Sequence, residues 1–305
     1  MTPDNYTNSE KMINVDDIHS IYVQDWGNID AKTTFVFLHG GPGSGCNDGH
    51  KQIFNPSINR VIFFDQRGSG KSLPYGSLQN NDTEHLIKDI NQILDEFKLD
   101  KVVLVGGSWG STLALAYGLK HPERVEAMIL RGLFTGSRSE VDFINKGEFK
   151  HYFPEIWDDF LERTPKEHHN DPSKYHIKTI FGDDEELAHK SAFAMSVLEV
   201  SVISLDERRL PADIEGFDSA STKIELHFVD NLCFMPDEYI LDNAHKLKMP
   251  VWLVQGRYDS VCPPVTAYKL SKSIQNSKLI WTLAGHSGGD RANTDATAAI
   301  ITSFK

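Results

Sequence analysis

The chain has little cysteine, no long apolar run and none of the common metal-binding patterns. Cys46, Cys233 and Cys262 are too few and too widely spaced for a disulfide framework or a cysteine metal cluster. No stretch approaches the roughly 18 consecutive apolar residues of a membrane-spanning helix. Neither HExxH nor regularly spaced Cys and His pairs occur, so we expect no metal. A basic region followed by an apolar one is also missing near the N-terminus, and we expect a cytoplasmic protein.

Positive charge is also in deficit. The 305 residues include 31 Lys and Arg against 43 Asp and Glu, which gives a net charge of −12. Such a surface repels phosphate backbones and anionic membranes, so we expect neither nucleic acid nor a membrane as partner. With 40% hydrophobic and 24% charged residues, the composition is that of a soluble globular enzyme. The sequence does not define an oligomeric state.

The first half of the chain alternates strand-like and helix-like patterns. A run at 84–97 has apolar residues at helical spacing, and Asn81 or Asp82 is a candidate N-cap. Strands that alternate with helices predict an α/β fold, in which a mostly parallel central sheet carries helices on both faces. The short β-rich apolar runs of this half are 33–38, 60–65, 101–105 and 127–131.

This alternation stops near residue 135 and resumes near residue 250. From 140 to 240 the chain is rich in charged and aromatic residues and is mostly helix-like. Strand patterns return at 251–255 and 278–282, with a helix between them around 265–273. We therefore predict a catalytic domain formed by 1–139 and 241–305. Residues 140–240 are predicted to form an inserted helical cap over the carboxyl ends of the strands, where ligands bind in open α/β sheets.

A G-x-S-x-G motif follows the third strand-like run. Gly106-Gly107-Ser108-Trp109-Gly110 lies between the run at 101–105 and a helix-like stretch, which is the strand–turn–helix context of a nucleophilic serine in α/β-hydrolases. Small residues two before and two after the serine allow the sharp turn that exposes its Oγ. Ser108 is therefore the predicted nucleophile.

The serine needs a base and an acid that orients the base. In this fold they follow in the order Ser, Asp, His, each in a loop after a strand. Asp259 follows the run at 251–255, and His286 follows the run at 278–282. Asp65 also ends a strand-like run but precedes Ser108, so we interpret it as structural. The predicted triad is Ser108, Asp259 and His286.

The negatively charged oxygen formed during attack needs two preorganised N–H donors. One is predicted to be the backbone N–H of Trp109, the residue after the nucleophile. The other is expected from the loop His39-Gly40-Gly41-Pro42-Gly43, which follows the first strand-like run. We choose the N–H of Gly41, since Pro42 has none.

Seven motifs together resemble the proline iminopeptidase family of α/β-hydrolases, and the resemblance extends from about residue 16 to residue 286. It implies hydrolytic release of an N-terminal residue, preferentially proline, from peptides with a free N-terminus, without a cofactor. The motifs are HGGPG at 39–43, DQRGSGKS at 65–72, GGSWGSTLALAYG at 106–118, HPERV at 121–125, LRGLF at 130–134, GRYDSVCP at 256–263 and AGHS at 284–287.

The resemblance also implies how the substrate is held. Two cap glutamates, matching Glu199 and Glu225, would bind the substrate's free amine, because an ammonium buried without a partner is costly. Phe134 matches an aromatic residue of the proline-ring pocket, and Trp109 is a further candidate wall.

The cap motifs depart from the family pattern. The family's W-S-V-W-E-G reads Met195-Ser196-Val197-Leu198-Glu199-Val200 here, and its E-N-H-Y reads Glu225-Leu226-His227-Phe228. Flexible Met and Leu in place of rigid indoles would loosen the pocket. We therefore expect intact chemistry and a broader specificity for the N-terminal residue.

Two other functions fit parts of the pattern. A carboxylesterase or small-amide hydrolase would use the same triad beneath an altered cap. A non-catalytic receptor would use the capped pocket, but it does not require all three triad groups. Epoxide hydrolases and dehalogenases are excluded because they need an aspartate where Ser108 stands.

Overall fold

The apolar runs from both halves of the sequence assemble into one eight-stranded sheet. A computed structural model describes residues 6–205 and 214–304 of the chain. The order of strands across the sheet is β1-β2-β4-β3-β5-β6-β7-β8. Their bounds are β1 (Thr7–Asn14), β2 (Ser20–Gly27), β3 (Thr34–Leu38), β4 (Arg60–Phe64), β5 (Val102–Ser108), β6 (Val125–Leu133), β7 (Val251–Gly256) and β8 (Ser277–Thr282).

Most of the sheet is parallel. β2 pairs antiparallel with β1 and with β4, whereas β4, β3, β5, β6, β7 and β8 run in one direction. The carboxyl ends of these six strands therefore meet at one edge, where ligands bind in open α/β sheets. The predicted α/β-hydrolase architecture, a mostly parallel sheet between helices, is confirmed.

Helices cover both faces of the sheet. Alternate residues of β5 show this: Val102 and Leu104 join the core under α1 and α2, while Val103 and Val105 join the core under α10. The helices are α1 (Thr83–Glu96), α2 (Trp109–Lys120), α3 (Arg138–Asn145), α4 (Pro154–Glu162), α5 (Pro172–Ile180), α6 (Glu185–Val202), α7 (Ala220–Asp230), α8 (Tyr239–Asn243), α9 (Pro264–Ser273) and α10 (Arg291–Thr302).

Element boundaries follow the sequence patterns closely in the sheet. The helix predicted at 84–97 is α1, and Asp82 is its N-cap, accepting the N–H of His85. Asn81 has another role, because its amide donates to the carbonyls of Arg67 and Ser77. β1 and β2 had no predicted counterpart. β1 is an edge strand that is mostly exposed, so it lacks the apolar alternation that indicates a strand. No helix in the described segments is long and apolar enough to cross a membrane.

The interruption between β6 and β7 is helical, as the pattern indicates. Helices α3 to α7 share an apolar core of their own, which includes Phe149, Phe160 and Leu198. α3 begins two residues before the predicted boundary at 140, and α8 spans the boundary at 240. The division into domains stays a prediction. Residues 1–5, 206–213 and 305 of the predicted domains lie outside the described residues.

A neutral histidine is buried in the core of α3 to α7. His176 contacts the rings of Phe160 and Tyr175, and its Nε2 lies 3.0 Å from the Thr164 hydroxyl. That hydroxyl donates to the Phe160 carbonyl, so Nε2 carries the proton. Nδ1 has no hydrogen-bond partner in the described structure. Burial lowers the pKa of His176 to about 4.

We expect acid to destabilise the protein partly through His176. Below about pH 6.5 the unfolded chain binds a proton at this histidine, and the folded chain resists doing so until about pH 4. Stability should therefore be lost as the pH falls through this window. His176→Phe should reduce the fall in Tm between pH 7 and pH 5, measured by calorimetry. It should not abolish that fall, because burial also lowers the pKa of His50 to about 4. His151→Gln, at an exposed position, is the control; equal slopes in all three proteins would contradict this role.

Candidate active site

Ser108 occupies a strained turn at the end of β5. Its φ of +56° and ψ of −127° lie outside the usual regions for a residue with a side chain. A Cβ on Gly106 would lie 2.3 Å from the carbonyl oxygen of Gly110, and a Cβ on Gly110 would lie 2.0 Å from that of Leu38. Glycine is therefore required two residues before and two residues after Ser108, because the crowded backbone leaves no room for a side chain there.

Asp259 and His286 meet after β7 and β8. His286 Nδ1 lies 2.9 Å from Asp259 Oδ2, and both residues are buried. Asp259 Oδ1 accepts the backbone N–H groups of Val261 (3.0 Å) and Cys262 (2.7 Å). The amide of Gln255 donates to Oδ2 at 2.9 Å. Three donors besides the imidazole therefore hold the Asp259 carboxylate in place.

The end of β6 lies between the nucleophile turn and the histidine loop. Leu133 pairs with Ser108 in the sheet register, and Arg131 donates to the backbone carbonyl of His286. A Cβ on Gly132, whose φ is +54°, would lie 2.9 Å from His286 Cε1. Burial lowers the pKa of Arg131. These contacts bring Ser108 and the Asp259–His286 pair to the same edge of the sheet, as the strand ends predict.

The side chains of His39 and Gln66 hold the glycine loop after β3, a role that no motif in the sequence indicates. His39 Nε2 accepts the N–H of Gln66 at 2.9 Å, so Nδ1 carries the proton and donates to the Gly40 carbonyl. Burial lowers the pKa of His39, which keeps the ring neutral. Gln66 also donates to the His39 carbonyl and accepts the indole N–H of Trp109 at 2.8 Å. This network links the loop that contains Gly41 to the helix after Ser108.

Asp65 lies at the end of β4. Its carboxylate accepts the backbone N–H of Cys46 at 2.6 Å and that of Lys71 at 2.8 Å. A Cβ on Gly70 would overlap this carboxylate, at 2.2 Å from its Oδ2. Asp65 therefore joins two loops, which agrees with its structural interpretation.

One cavity brings most of the predicted site residues together. Gly41, Ser108, Phe134, Glu199 and Glu225 all line it. Besides Phe134, its apolar lining consists of Val141, Ile144, Met195, Leu198, Leu226, Val229, Val261 and Cys262.

The prediction that the Trp109 side chain forms a wall of the pocket is wrong. Its indole is fully buried and packs on Phe228 with ring centroids 4.7 Å apart, and it is not among the residues that line the cavity. The hydrogen bond to Gln66 turns the ring toward the core. Only the backbone of Trp109 remains a candidate for the site.

Glu199 on α6 and Glu225 on α7 face each other in this cavity. The two carboxyl groups are near enough for the charge of one to act on the other. Burial and the neighbouring Glu199 carboxylate raise the pKa of Glu225 well above its usual range. Two carboxylates held this close form a site that a cation would stabilise.

A third carboxylate lines the same cavity. Glu140 accepts the backbone N–H groups of Thr135 (3.0 Å) and Ser137 (3.1 Å) and the hydroxyl of Thr266 (2.8 Å). These neutral donors satisfy it without a cation. No Lys, Arg or His lines the cavity in the described ranges, so its charge is negative throughout. The same ranges contain no group of three His, Cys, Asp or Glu that could hold a metal ion.

Comparisons with known proteins show which family and fold this chain resembles. The family model for the alpha/beta hydrolase fold matches residues 33–288. A probable proline iminopeptidase from Leptolyngbya boryana is 38% identical over 283 residues, which is 90% of this chain and 88% of that protein. A proline iminopeptidase from Arabidopsis thaliana is 36% identical over 286 residues, which is 91% and 75% of the two chains. The crystal structure of a proline iminopeptidase from Mycobacterium smegmatis has a TM-score of 0.69 over 97% of each chain. Its identity of 17% shows a shared fold alone.

We expect Gly110→Ala to disrupt the nucleophile turn. The new methyl group would meet the Leu38 carbonyl oxygen at 2.0 Å, and backbone cannot yield as a flexible side chain does. Overpacking of this kind should cost at least about 1–3 kcal/mol of stability, and displacement of Ser108 should lower kcat. Gly182→Ala is the matched control, since it is exposed and its nearest contact is 3.2 Å. Denaturant unfolding and turnover would measure both effects; equal stability of the two variants would refute the crowding argument.

Proposed function

Because the chain belongs to the proline iminopeptidase family of α/β-hydrolases, we propose that it is a serine exopeptidase that releases an N-terminal residue, preferentially proline, from peptides. The observation that carries this proposal is the Glu199–Glu225 pair in the cavity that also contains Ser108. An acyl group without an amine gains nothing from two half-buried carboxyl groups that face each other. A free N-terminal ammonium neutralises them.

The chemistry follows from the triad. Ser108 Oγ attacks the carbonyl carbon of the N-terminal residue while His286 takes the Oγ proton, and Asp259 holds the imidazole in the tautomer that can accept it. The oxyanion is stabilised by the backbone N–H groups of Gly41 and Trp109. His286 then donates its proton to the leaving nitrogen, which releases the shortened peptide.

Water completes the cycle. The N-terminal residue remains bound to Ser108 as an ester. His286 takes a proton from water as the water oxygen attacks this ester carbonyl, and it returns that proton to Ser108 Oγ as the ester bond breaks. The products are the free amino acid and the regenerated serine.

The Glu199–Glu225 pair would recognise the free amine of the substrate. Without substrate, the raised pKa of Glu225 favours its protonated form, because desolvation and the Glu199 charge both oppose its ionisation. A bound ammonium would favour ionisation of Glu225, whose proton would pass to solvent, and it would donate to both Glu199 and Glu225. Substrates with an acylated amine lack the charge and should bind poorly.

The apolar walls of the cavity determine which side chain is preferred at the N-terminal residue of the substrate. Phe134 offers an aromatic surface to the substrate ring, and Met195 and Leu198 stand where the family pattern has tryptophan. Met has three rotatable bonds and adapts to different shapes. The hypothesis of a broader specificity therefore still stands, and it would fail if proline substrates exceeded alanine and leucine analogues by several hundredfold.

A carboxylesterase or small-amide hydrolase is the second candidate, because the altered cap walls and the same triad would suit it. We favour the exopeptidase because Glu199 and Glu225 face each other in the cavity. We also propose that 140–240 acts as the cap, that a small peptide with a free N-terminus is the partner, and that the protein works in the cytoplasm. The unpaired state of Cys46, Cys233 and Cys262 suits a reducing compartment.

The deciding experiment compares kcat/KM for five chromogenic substrates. They are proline anilide, its N-acylated form, alanine and leucine anilides, and a short-chain ester. Rapid cleavage of the free proline anilide with loss of activity on the acylated form would support the exopeptidase. Turnover of the ester alone would favour the second candidate.

Ser108→Ala should lower kcat on every cleaved substrate by roughly 10⁴–10⁶. The fold should persist, since the smaller side chain removes only the hydroxyl. Thermal unfolding of the purified variant checks this. Ser111→Ala provides a comparison at the next serine of the same segment, where the hydroxyl donates to the Ser108 carbonyl. Residual turnover within tenfold of wild type would mean that another group is the nucleophile.

Glu225→Gln should weaken the binding of substrates with a free amine. It should also stabilise the protein at alkaline pH. The loss of a charged partner should raise KM for proline anilide by about 10- to 100-fold and leave ester turnover nearly unchanged. The folded pKa of Glu225 is raised, so the folded chain binds more protons than the unfolded chain above about pH 4.3. Its contribution to stability is therefore lost as the pH rises, and the amide should increase Tm at pH 8.

Asp230→Asn is the control for this variant, since Asp230 is an exposed acid on the same helix. It should change neither KM nor the pH dependence of Tm. Equal losses on the anilide and on the neutral ester in Glu225→Gln would show that this carboxylate does not bind the amine.

A further inference from the structure

Gln255 is the last residue but one of β7, and it is completely buried. Its Oε1 accepts the backbone N–H of Leu133 on β6 at 2.8 Å. Its Nε2 donates to the Cys262 carbonyl at 3.1 Å and to Asp259 Oδ2 at 2.9 Å. One acceptor and two donors are therefore used, and only one orientation of the amide satisfies all three neighbours.

The bond to Asp259 falls on the oxygen that matters for catalysis. Oδ2 accepts from both Gln255 Nε2 and His286 Nδ1, each at 2.9 Å. The other oxygen, Oδ1, is held by the backbone N–H groups of Val261 and Cys262. Those two bonds locate one end of the carboxylate, and a rotation about that end would swing Oδ2 away from the imidazole. The Gln255 amide is the remaining donor that opposes this rotation.

We propose that Gln255 is a positioning residue that, through Asp259, orients the His286 imidazole toward Ser108. It also connects this orientation to the sheet, because its Oε1 accepts the N–H of Leu133 on β6, two residues after Arg131, which itself holds the His286 carbonyl. The inference rests on the proposed triad. It does not depend on proline as substrate.

The other charged and titratable groups near Asp259 are few. His286 is its direct partner, and the Arg131 guanidinium acts on it through space. Burial and the charges of Asp259, Glu140 and Glu199 raise the pKa of the Cys262 thiol well above its usual range, so that thiol stays neutral. A new titration in this region can therefore be assigned to a group introduced at position 255.

Two substitutions separate positioning from packing. Gln255→Glu keeps the shape and the acceptor for Leu133. When protonated, the new carboxyl group donates one hydrogen bond to Asp259; when ionised, it repels Asp259. Activity relative to wild type should therefore fall by at least about tenfold between pH 5.5 and pH 8.5. Gln255→Met retains the volume without donors, and it should lower kcat by about 10- to 100-fold at every pH with KM within about twofold.

The measurements are kcat/KM on proline anilide and on a short-chain ester, together with the rate at which a phosphonofluoridate inactivates Ser108. The ester and phosphonate readouts need no free amine. If the anilide is not cleaved, the proposed exopeptidase fails while these two readouts still decide the role of Gln255. Gln24→Glu is the matched control. Gln24 lies on β2, and its amide, like that of Gln255, donates two hydrogen bonds, one of them to a carboxylate. This variant should change none of the three.

A role in packing alone predicts a different result. Tm would fall in both Gln255 variants, and the ratio of variant to wild-type activity for Gln255→Glu would stay constant with pH. That outcome, or kcat of Gln255→Met within threefold of wild type, would overturn the proposal.

Discussion

The crowded backbone around Ser108 is the constraint on which the rest of the site depends. A serine with positive φ at the end of β5 leaves no room for a Cβ on Gly106 or Gly110, and the Leu38 carbonyl of the neighbouring strand closes the turn from the other side. This geometry is costly for a residue with a side chain, by about 1–3 kcal/mol. It persists because β5 lies between β3 and β6 in the sheet and because the first turn of α2 is buried. The sheet therefore supplies the rigidity that presents the Oγ.

Two buried glutamines extend that rigidity from the sheet to the loops. Gln66 connects His39, and so the glycine loop, to the indole of Trp109. Gln255 connects β6 to Asp259 and to the Cys262 carbonyl. A primary amide suits both positions because one side chain offers a donor and an acceptor at once. It also brings no charge that would have to be desolvated beside the triad.

The sheet, and the location of Ser108, Asp259 and His286 at its carboxyl edge, could be predicted from the sequence because their signals are local. A strand pattern followed by Gly106–Gly110, or by Asp259, indicates a loop at the carboxyl edge without knowledge of the rest of the chain. β1 could not be predicted, since its exposed residues carry no periodicity. The pairing of Glu199 with Glu225 depends on the packing of α6 against α7, and among 43 acidic residues only the family resemblance selected them. The direction of the Trp109 ring depends on Gln66, a contact between residues 43 positions apart, and no local pattern indicates it.

Unfavourable electrostatic energy in the cavity is confined to the place where the proposed function needs it. Glu140 is satisfied by five neutral donors, so its burial stabilises the junction of β6, α3 and α9. Glu199 and Glu225 face each other instead, and their mutual repulsion is relieved by a proton or by a cation. The two arrangements contain the same chemical group in the same cavity. The Glu140 carboxylate, which has its hydrogen-bond donors, stabilises the fold, and the Glu199–Glu225 pair can still attract a positively charged ligand. On this argument the substrate's ammonium completes an electrostatic pairing that the folded chain leaves open.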